Sequence, residues 1–150
     1  MKILMVLDHE FPPDIRVENE METLASAGHE IHLACYTMQN RPSFEEIHSV
    51  KVHRKPISLF LYKSSVGALK FPFYFNFWRN FLKKLFHGEQ FDAIHIHDLP
   101  LAKVGLEFSK KFAIPCTLDL HENWPALLKI SMHTKTPLGR LLSSNTQWKK

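Results

Sequence analysis

Lys2-Ile3-Leu4-Met5-Val6-Leu7, the loop Asp8-His9-Glu10-Phe11-Pro12-Pro13, a helical pattern from Asp14 to Ala27, then Gly28 and the return Ile31-His32-Leu33-Ala34 form the stretch on which the fold turns. The opening run is apolar at consecutive positions, as expected of a parallel strand buried on both faces. Pro12 and Pro13 cannot continue it. Asp14 suits a helix N-cap, and Val17, Met21, Leu24 and Ala25 fall on one helical face. Gly28 supplies the left-handed residue that ends the helix. Strand, loop, helix and strand in this order make half of a right-handed parallel crossover.

The remainder extends the same plan. Residues 36–49 read as a polar connection and 50–54 as an edge strand. Residues 64–86 read as a helix with a break at Pro72, its Tyr74, Phe77, Trp78, Phe81 and Leu85 at helical spacing. Residues 93–97 are a strand, 100–112 a helix with Leu101, Val104, Phe108 and Phe112 inward, and 116–120 a further strand. Helices are expected at 124–130 and 138–148. Five strands separated by helices predict an α/β, doubly wound parallel sheet with strand order 3-2-1-4-5. The first and fourth strands then flank the switch point, where such sheets bind ligands. The loop after Leu7, the His97-Asp98 turn and the His121-Glu122 turn would share one rim.

A chain of 150 residues has room for one domain. Its two cysteines, Cys35 and Cys116, sit in predicted buried strands and read as small apolar residues in a reducing compartment. The apolar run at the start is too short for a signal peptide, and no stretch approaches the ~20 apolar residues of a membrane span. The expected location is cytoplasmic, with peripheral attachment at the inner face of the membrane left open. The net charge of +4 hides an asymmetry. Residues 1–30 hold seven acids, residues 51–87 hold none against eight Lys or Arg, and five more positive charges follow Glu122. Such patches attract phosphates, nucleic acid or anionic lipid.

The first loop lacks the G-x-G-x-x-G that a dinucleotide site needs, which argues against nicotinamide and flavin chemistry. His95, His97, Asp98 and His121 raise the question of a metal, since H-x-H on a strand places both imidazoles on one face. A hydrolytic metal centre needs at least three convergent ligands and an open position. His95 lies deeper along its strand, where packing and interior hydrogen bonding are expected, so no metal and no resident cofactor are predicted. Asp98 precedes Pro100; it is expected to satisfy N–H groups of the next helix, to meet substrate, or both, since the two are compatible. His121 and Glu122 follow a buried strand directly, and capping explains Glu122 more readily than His121. Arg16 stands in the first helical turn, where its charge opposes the dipole. It pairs there with an anion or carboxylate in the crevice, or with Glu20 four residues on.

Between 51 and 87, Phe60, Tyr62, Phe71, Phe73, Tyr74, Phe75, Phe77, Trp78, Phe81 and Phe86 interleave with Lys63, Lys70, Arg79, Lys83 and Lys84. An amphipathic core helix and an interfacial membrane helix both fit this pattern. Nucleic acid is not an expected partner, because doubly wound sheets present no such platform.

Met1-Lys2-Ile3-Leu4-Met5-Val6, Phe11-Pro12-Pro13-Asp14-Ile15-Arg16-Val17 and Leu24-Ala25-Ser26-Ala27-Gly28-His29-Glu30 resemble the opening of family 4 glycosyltransferases. Phe91-Asp92-Ala93-Ile94-His95-Ile96-His97-Asp98-Leu99-Pro100 and Leu118-Asp119-Leu120-His121-Glu122-Asn123 resemble its later landmarks in order and spacing. The resemblance implies the amino-terminal, Rossmann-like half of a GT-B fold, binding mainly the acceptor. It also implies a metal-independent, configuration-retaining transfer of a hexose-type sugar from a nucleotide-sugar co-substrate to a glycan or lipid-linked acceptor. By this resemblance His121 lies beside the transferred sugar. The loop carrying His9 and Glu10 approaches the donor phosphates and acceptor, although many members have a Gly-Gly pair where this chain has His9-Glu10-Phe11. His97, Asp98 and Glu122 are then expected to shape the acceptor pocket, and Arg16 to meet acidic or phosphate groups. The family's donor-binding domain has no counterpart in these residues, so the chain is expected to be inactive by itself. The rival expectation is a non-catalytic module that docks on a partner or an anionic membrane surface through residues 51–87.

Overall fold

The computed structural model describes residues 1–69, 71–120 and 126. Six strands form one sheet: β1 (Lys2–Glu10), β2 (Glu30–Thr37), β3 (Phe44–Ile47), β4 (Val50–Pro56), β5 (Ala93–His97) and β6 (Cys116–Asp119), in the order β3-β4-β2-β1-β5-β6. Every pairing is parallel except β3 with β4. The predicted order is present, with β1 and β5 adjacent at the switch point and Leu7 opposite His97.

Three boundaries differ from the sequence expectation. The first strand runs on through Asp8 and His9 to Glu10, with its register against β2 shifting between Val6 and Glu10. Strand 50–56 is not an edge, because Phe44-Glu45-Glu46-Ile47 folds back on it across His48 and Ser49, both at positive φ. Two such residues make the tight turn whose twist suits a hairpin. The four residues of β3 are largely exposed on both faces, so no apolar alternation betrayed them. The helix predicted at 64–86 is interrupted at Pro72 as expected, but its first part is only a 3-10 turn at Ser64–Gly67 before α3 (Phe73–Gly88), and a short α2 (Leu59–Lys63) precedes it outside the predicted range. Pro72 sits at the N-cap of α3, and a residue preceding proline is pushed out of helical conformation, so the interruption falls there.

The remaining helices are α1 (Ile15–Ser26) and α4 (Ala102–Phe112), the latter preceded by a 3-10 turn at Leu99–Leu101. Asp14 caps α1 as expected: its Oδ1 accepts from the N–H of Val17 at 3.2 Å. Gly28 follows at φ 83.

Strand alternation sorts the core into two layers. Leu4, Val6, Ala34, Tyr36, Ile94 and Ile96 face α3 and α4, where they pack with Trp78, Leu82, Phe86 and Phe108. Met5, Leu7, Ile31, Leu33, Val50 and Val52 face the other way, with Val17 and Met21 of α1. Each such large side chain, fully buried, contributes about 1.5–3 kcal/mol. On the α4 side the approach is close. A Cβ on Gly105 would lie 2.4 Å from Ile96 Cγ1, so this helix reaches β5 because it carries no side chain there.

Candidate functional site

The carboxyl ends of β1 and β5 bring four chain segments together. Phe11, in the loop after β1, is wholly buried, and its carbonyl accepts from Arg54 Nε at 3.0 Å and Arg41 Nη1 at 3.4 Å. Arg54 is itself buried and ion-paired to Glu45 Oε2 at 2.8 Å. A guanidinium fixed from two directions therefore sets the path of the loop. Glu10 is fixed in turn: its Oε2 accepts from the N–H of Met38 at 2.7 Å and its Oε1 lies 3.5 Å from Arg41 Nε. His9 remains exposed. With Glu10, Asp14, Tyr36, Gln39 and Tyr62 it lines a cavity of about 440 Å³.

Asp8 points to the other side. Its carboxylate accepts from the hydroxyl of Tyr74 on α3. Burial, with Asp98 close by, holds the Asp8 carboxyl well above the usual carboxylate range. The side chain of Asp98 makes no cap hydrogen bond to the 3-10 turn that follows it. Its backbone stands at φ 71 and ψ 150, a region that glycine tolerates and other residues enter only when held. The hold is a bond from its own N–H to the carbonyl of Asp119 at 3.0 Å. Arg16 Nη2 lies 3.8 Å from Asp98 Oδ2 and 3.7 Å from Asp14 Oδ2. The first-turn arginine thus answers a carboxylate in the crevice rather than Glu20.

His97 is brought to the same strand end but turns inward, none of its side chain exposed. Neither His97 nor His95 has the hydrogen-bonded interior setting expected for the latter. His95 Nε2 and both ring nitrogens of His97 are buried without a hydrogen-bond partner among the described residues. The two rings stack at 4.5 Å. Glu20 Oε2 lies 3.9 Å from His97 Nε2, and Asp119 Oδ2 lies 3.8 Å from His97 Nδ1, both beyond hydrogen-bond reach. Burial, with His95 and Arg16 near, pushes the His97 imidazole down to about 3, so the ring is neutral. His95 is lowered by the same cause, while burial and then Asp119 raise Glu20. Sequence reasoning missed Glu20 and Asp119 as members of this cluster. Asp119 had a signal, since its strand neighbours β5 and its register position is opposite His97. Glu20 had one too, one helical turn beyond Arg16.

The basic aromatic segment divides. Tyr74, Phe75, Phe77, Trp78, Phe81 and Phe86 are core, whereas Phe60, Tyr62, Phe71 and Phe73 are exposed. Its charges divide as well. Lys51 pairs with Glu30 at 2.6 Å, Arg54 is internal, Lys55 Nζ donates to the carbonyl of Phe77 at 3.1 Å, and Arg79 grips Glu107 with two bonds of 2.7 Å. Among the described residues no helix is long and apolar enough to cross a membrane. His121 and Glu122, with the helices expected at 124–130 and 138–148, lie outside the described residues apart from Ala126, which is helical.

Residues 13–147 match the family model described as a glycosyl transferase 4-like domain. The chain belongs to that family. Among solved structures it is similar to sucrose-phosphate synthase from Thermosynechococcus elongatus, with a TM-score of 0.61 at 16% sequence identity, over 93% of this chain. The likeness extends to the fold: a Rossmann-like half of the GT-B type. The chain spans 38% of the length of that synthase. No curated protein sequence is significantly similar to it. Within this glycosyl transferase 4-like domain, Asp8, Arg16 and Asp98 meet at the switch point between β1 and β5, and His9 opens onto the adjoining cavity.

Proposed function

We propose that the chain is the acceptor-side half of a retaining, nucleotide-sugar-dependent glycosyltransferase that moves a hexose-type sugar to a glycan or lipid-linked acceptor. The family match over residues 13–147 carries this reading, and the charged rim at the switch point supports it. The donor-binding half then lies outside these 150 residues, and this half alone does not turn over. The transition state of such a transfer is a sugar cation leaving a pyrophosphate. Its stabilisation comes from positioning and from fixed dipoles and charges around a dry site.

Each rim residue has a part in this reading. Arg16 offers a guanidinium to a phosphate or carboxylate of the acceptor, competing with Asp98 for it. Asp98 accepts an acceptor hydroxyl, and Asp8, its carboxyl held well above the usual range by burial, is fixed at the rim by the Tyr74 hydroxyl that donates to it. His9 and Glu10 border the entry, with Glu10 mainly bracing the loop. His97 sits one layer below and supports rather than touches. His121 hydrogen-bonds the donor sugar, and Glu122 shapes the acceptor pocket. Transfer from labelled nucleotide sugars by the full-length protein tests the reading. His121→Ala is expected to lower transfer at least about tenfold; activity within about threefold of wild type refutes the assigned role.

Exposed Phe60, Tyr62, Phe71 and Phe73 favour a second feature compatible with the first. On α2, exposed Phe60, Tyr62 and Lys63 offer apolar and cationic side chains suited to an anionic membrane surface, which would bring a lipid-linked acceptor to the cavity bordered by Tyr62. On this reading the protein attaches peripherally at the inner face of the cytoplasmic membrane.

A further inference from the structure

Below the rim, α1, β5 and β6 converge on a point that the transfer reaction leaves unused. Glu20, His95, His97 and Asp119 each bring one ligand-type atom there, all within 4.8 Å of one another. We propose that these four side chains bind one divalent transition-metal ion of the zinc class, a structural clamp that ties α1 to the ends of β5 and β6.

The construction of the site argues for it. His95 and His97 stand two apart on one strand, so both rings leave the same face. Asp119 is register partner to His97 on the neighbouring strand, and Glu20 descends from the helix across the sheet. His97 is fully buried, with neither ring nitrogen hydrogen-bonded among the described residues, and Glu20 Oε2 and His95 Nε2 are buried in the same condition. Buried polar atoms almost always have partners, so several converging on one point call for a missing one. A cation supplies it for imidazole and carboxylate together. Two neutral imidazoles and two carboxylates suit zinc; calcium and magnesium prefer all-oxygen shells. Zinc bonds of about 2.0–2.2 Å place tetrahedral donors about 3.3 Å apart, so these atoms draw in by about 1 Å through side-chain rotation. Four protein ligands close the shell, which makes the site structural and leaves the sugar chemistry elsewhere. The ion would also fix Asp119, whose carbonyl holds Asp98 in its unusual backbone conformation.

The test is metal analysis of the full-length protein purified without chelator, then titration of the stripped protein with Zn²⁺ alone and with Co²⁺ as a spectroscopic substitute. The expected results are one zinc per chain, a rise in Tm on adding zinc, and the intense visible absorption of tetrahedral cobalt. Glu20→Gln and His95→Asn are each expected to weaken zinc binding at least about tenfold. These two positions are chosen because His97 is packed too deeply to replace safely; circular dichroism of the metal-free variants, matched to metal-free wild type, verifies their fold. Failure of the stripped wild type to take up zinc at micromolar concentration overturns the proposal. So does equal affinity in both variants, which assigns the zinc to other histidines. Neither result depends on sugar transfer, so this inference and the proposed function can fail separately.

Discussion

Asp98 holds the sharpest residue-level tension in the fold. A side chain stands where glycine is at ease, at φ 71 and ψ 150, and such strain costs roughly 1–3 kcal/mol. If the strain is retained for the carboxylate, Asp98→Gly is more stable than Asp98→Ala by about that amount, while both lose transfer. Denaturant melts of the two variants measure this difference, and equal midpoints contradict it. His53 gives a pH prediction of known sign. Burial, with His32 stacked at 5.1 Å, lowers its imidazole to about 4 from an ordinary 6.5. A lowered histidine contributes stability above its unfolded value that is lost as pH falls from 6.5 towards 4, at up to about 1.4 kcal/mol per pH unit for one proton. Glu30, held near 2 by Lys51 and His32, adds its own loss only below pH 4.5. His53→Gln should flatten the decline between 6.5 and 4; an unchanged slope would count against the shift. At this scale the sequence revealed the capping Asp14 and the unusual Arg16, because local chemistry decides both. It did not reveal that Arg54 is internal. Composition counts a charge without saying that a loop carbonyl from position 11 will meet it.

At the scale of elements, periodicity located the parallel strands and α1 well, since burial on one or both faces writes itself into the pattern. It failed for β3, whose exposed Glu45 and Glu46 carry no alternation, and for residues 64–67, a 3-10 turn where helix was expected, although the break at Pro72 was read correctly. The same stretch explains the surplus of aromatics. Seen as one helix they exceed a single core stripe; once split, α3 buries its own apart from Phe73 at its start, while Phe60 and Tyr62 on α2 and Phe71 in the link are exposed. The exposed element yields a prediction. Full-length protein should sediment with anionic vesicles and not with neutral ones, and a combined Phe60→Ser and Phe71→Ser change should release it with Tm unaltered. Binding that survives both changes would place the contact elsewhere.

For the whole molecule, the doubly wound sheet follows from connection order, and it places the ligand crevice at the β1–β5 boundary without any appeal to motif. The two sheet faces have different tasks. The α3 and α4 face is a dense aromatic core, whereas the α1 face carries the polar cluster of Glu20, His95, His97 and Asp119 under the rim. The sequence reading joined His97 to the open rim because it ranked positions along strands; side-chain direction, set by parity with Met5 and Leu7, sends it inward instead. In the proposed function, acceptor binding at this scale rests on Arg16, a cation at the crevice mouth.

Steady-state transfer kinetics of Arg16→Ala in the full-length protein, with an acceptor bearing phosphate or carboxylate, test that most directly. Loss of one charge-assisted contact of about 1.5–3 kcal/mol predicts a fall in kcat/KM of roughly tenfold or more, carried mainly by KM, with Tm little changed. Kinetic constants within about twofold of wild type for a folded variant would show that the acceptor does not meet this rim.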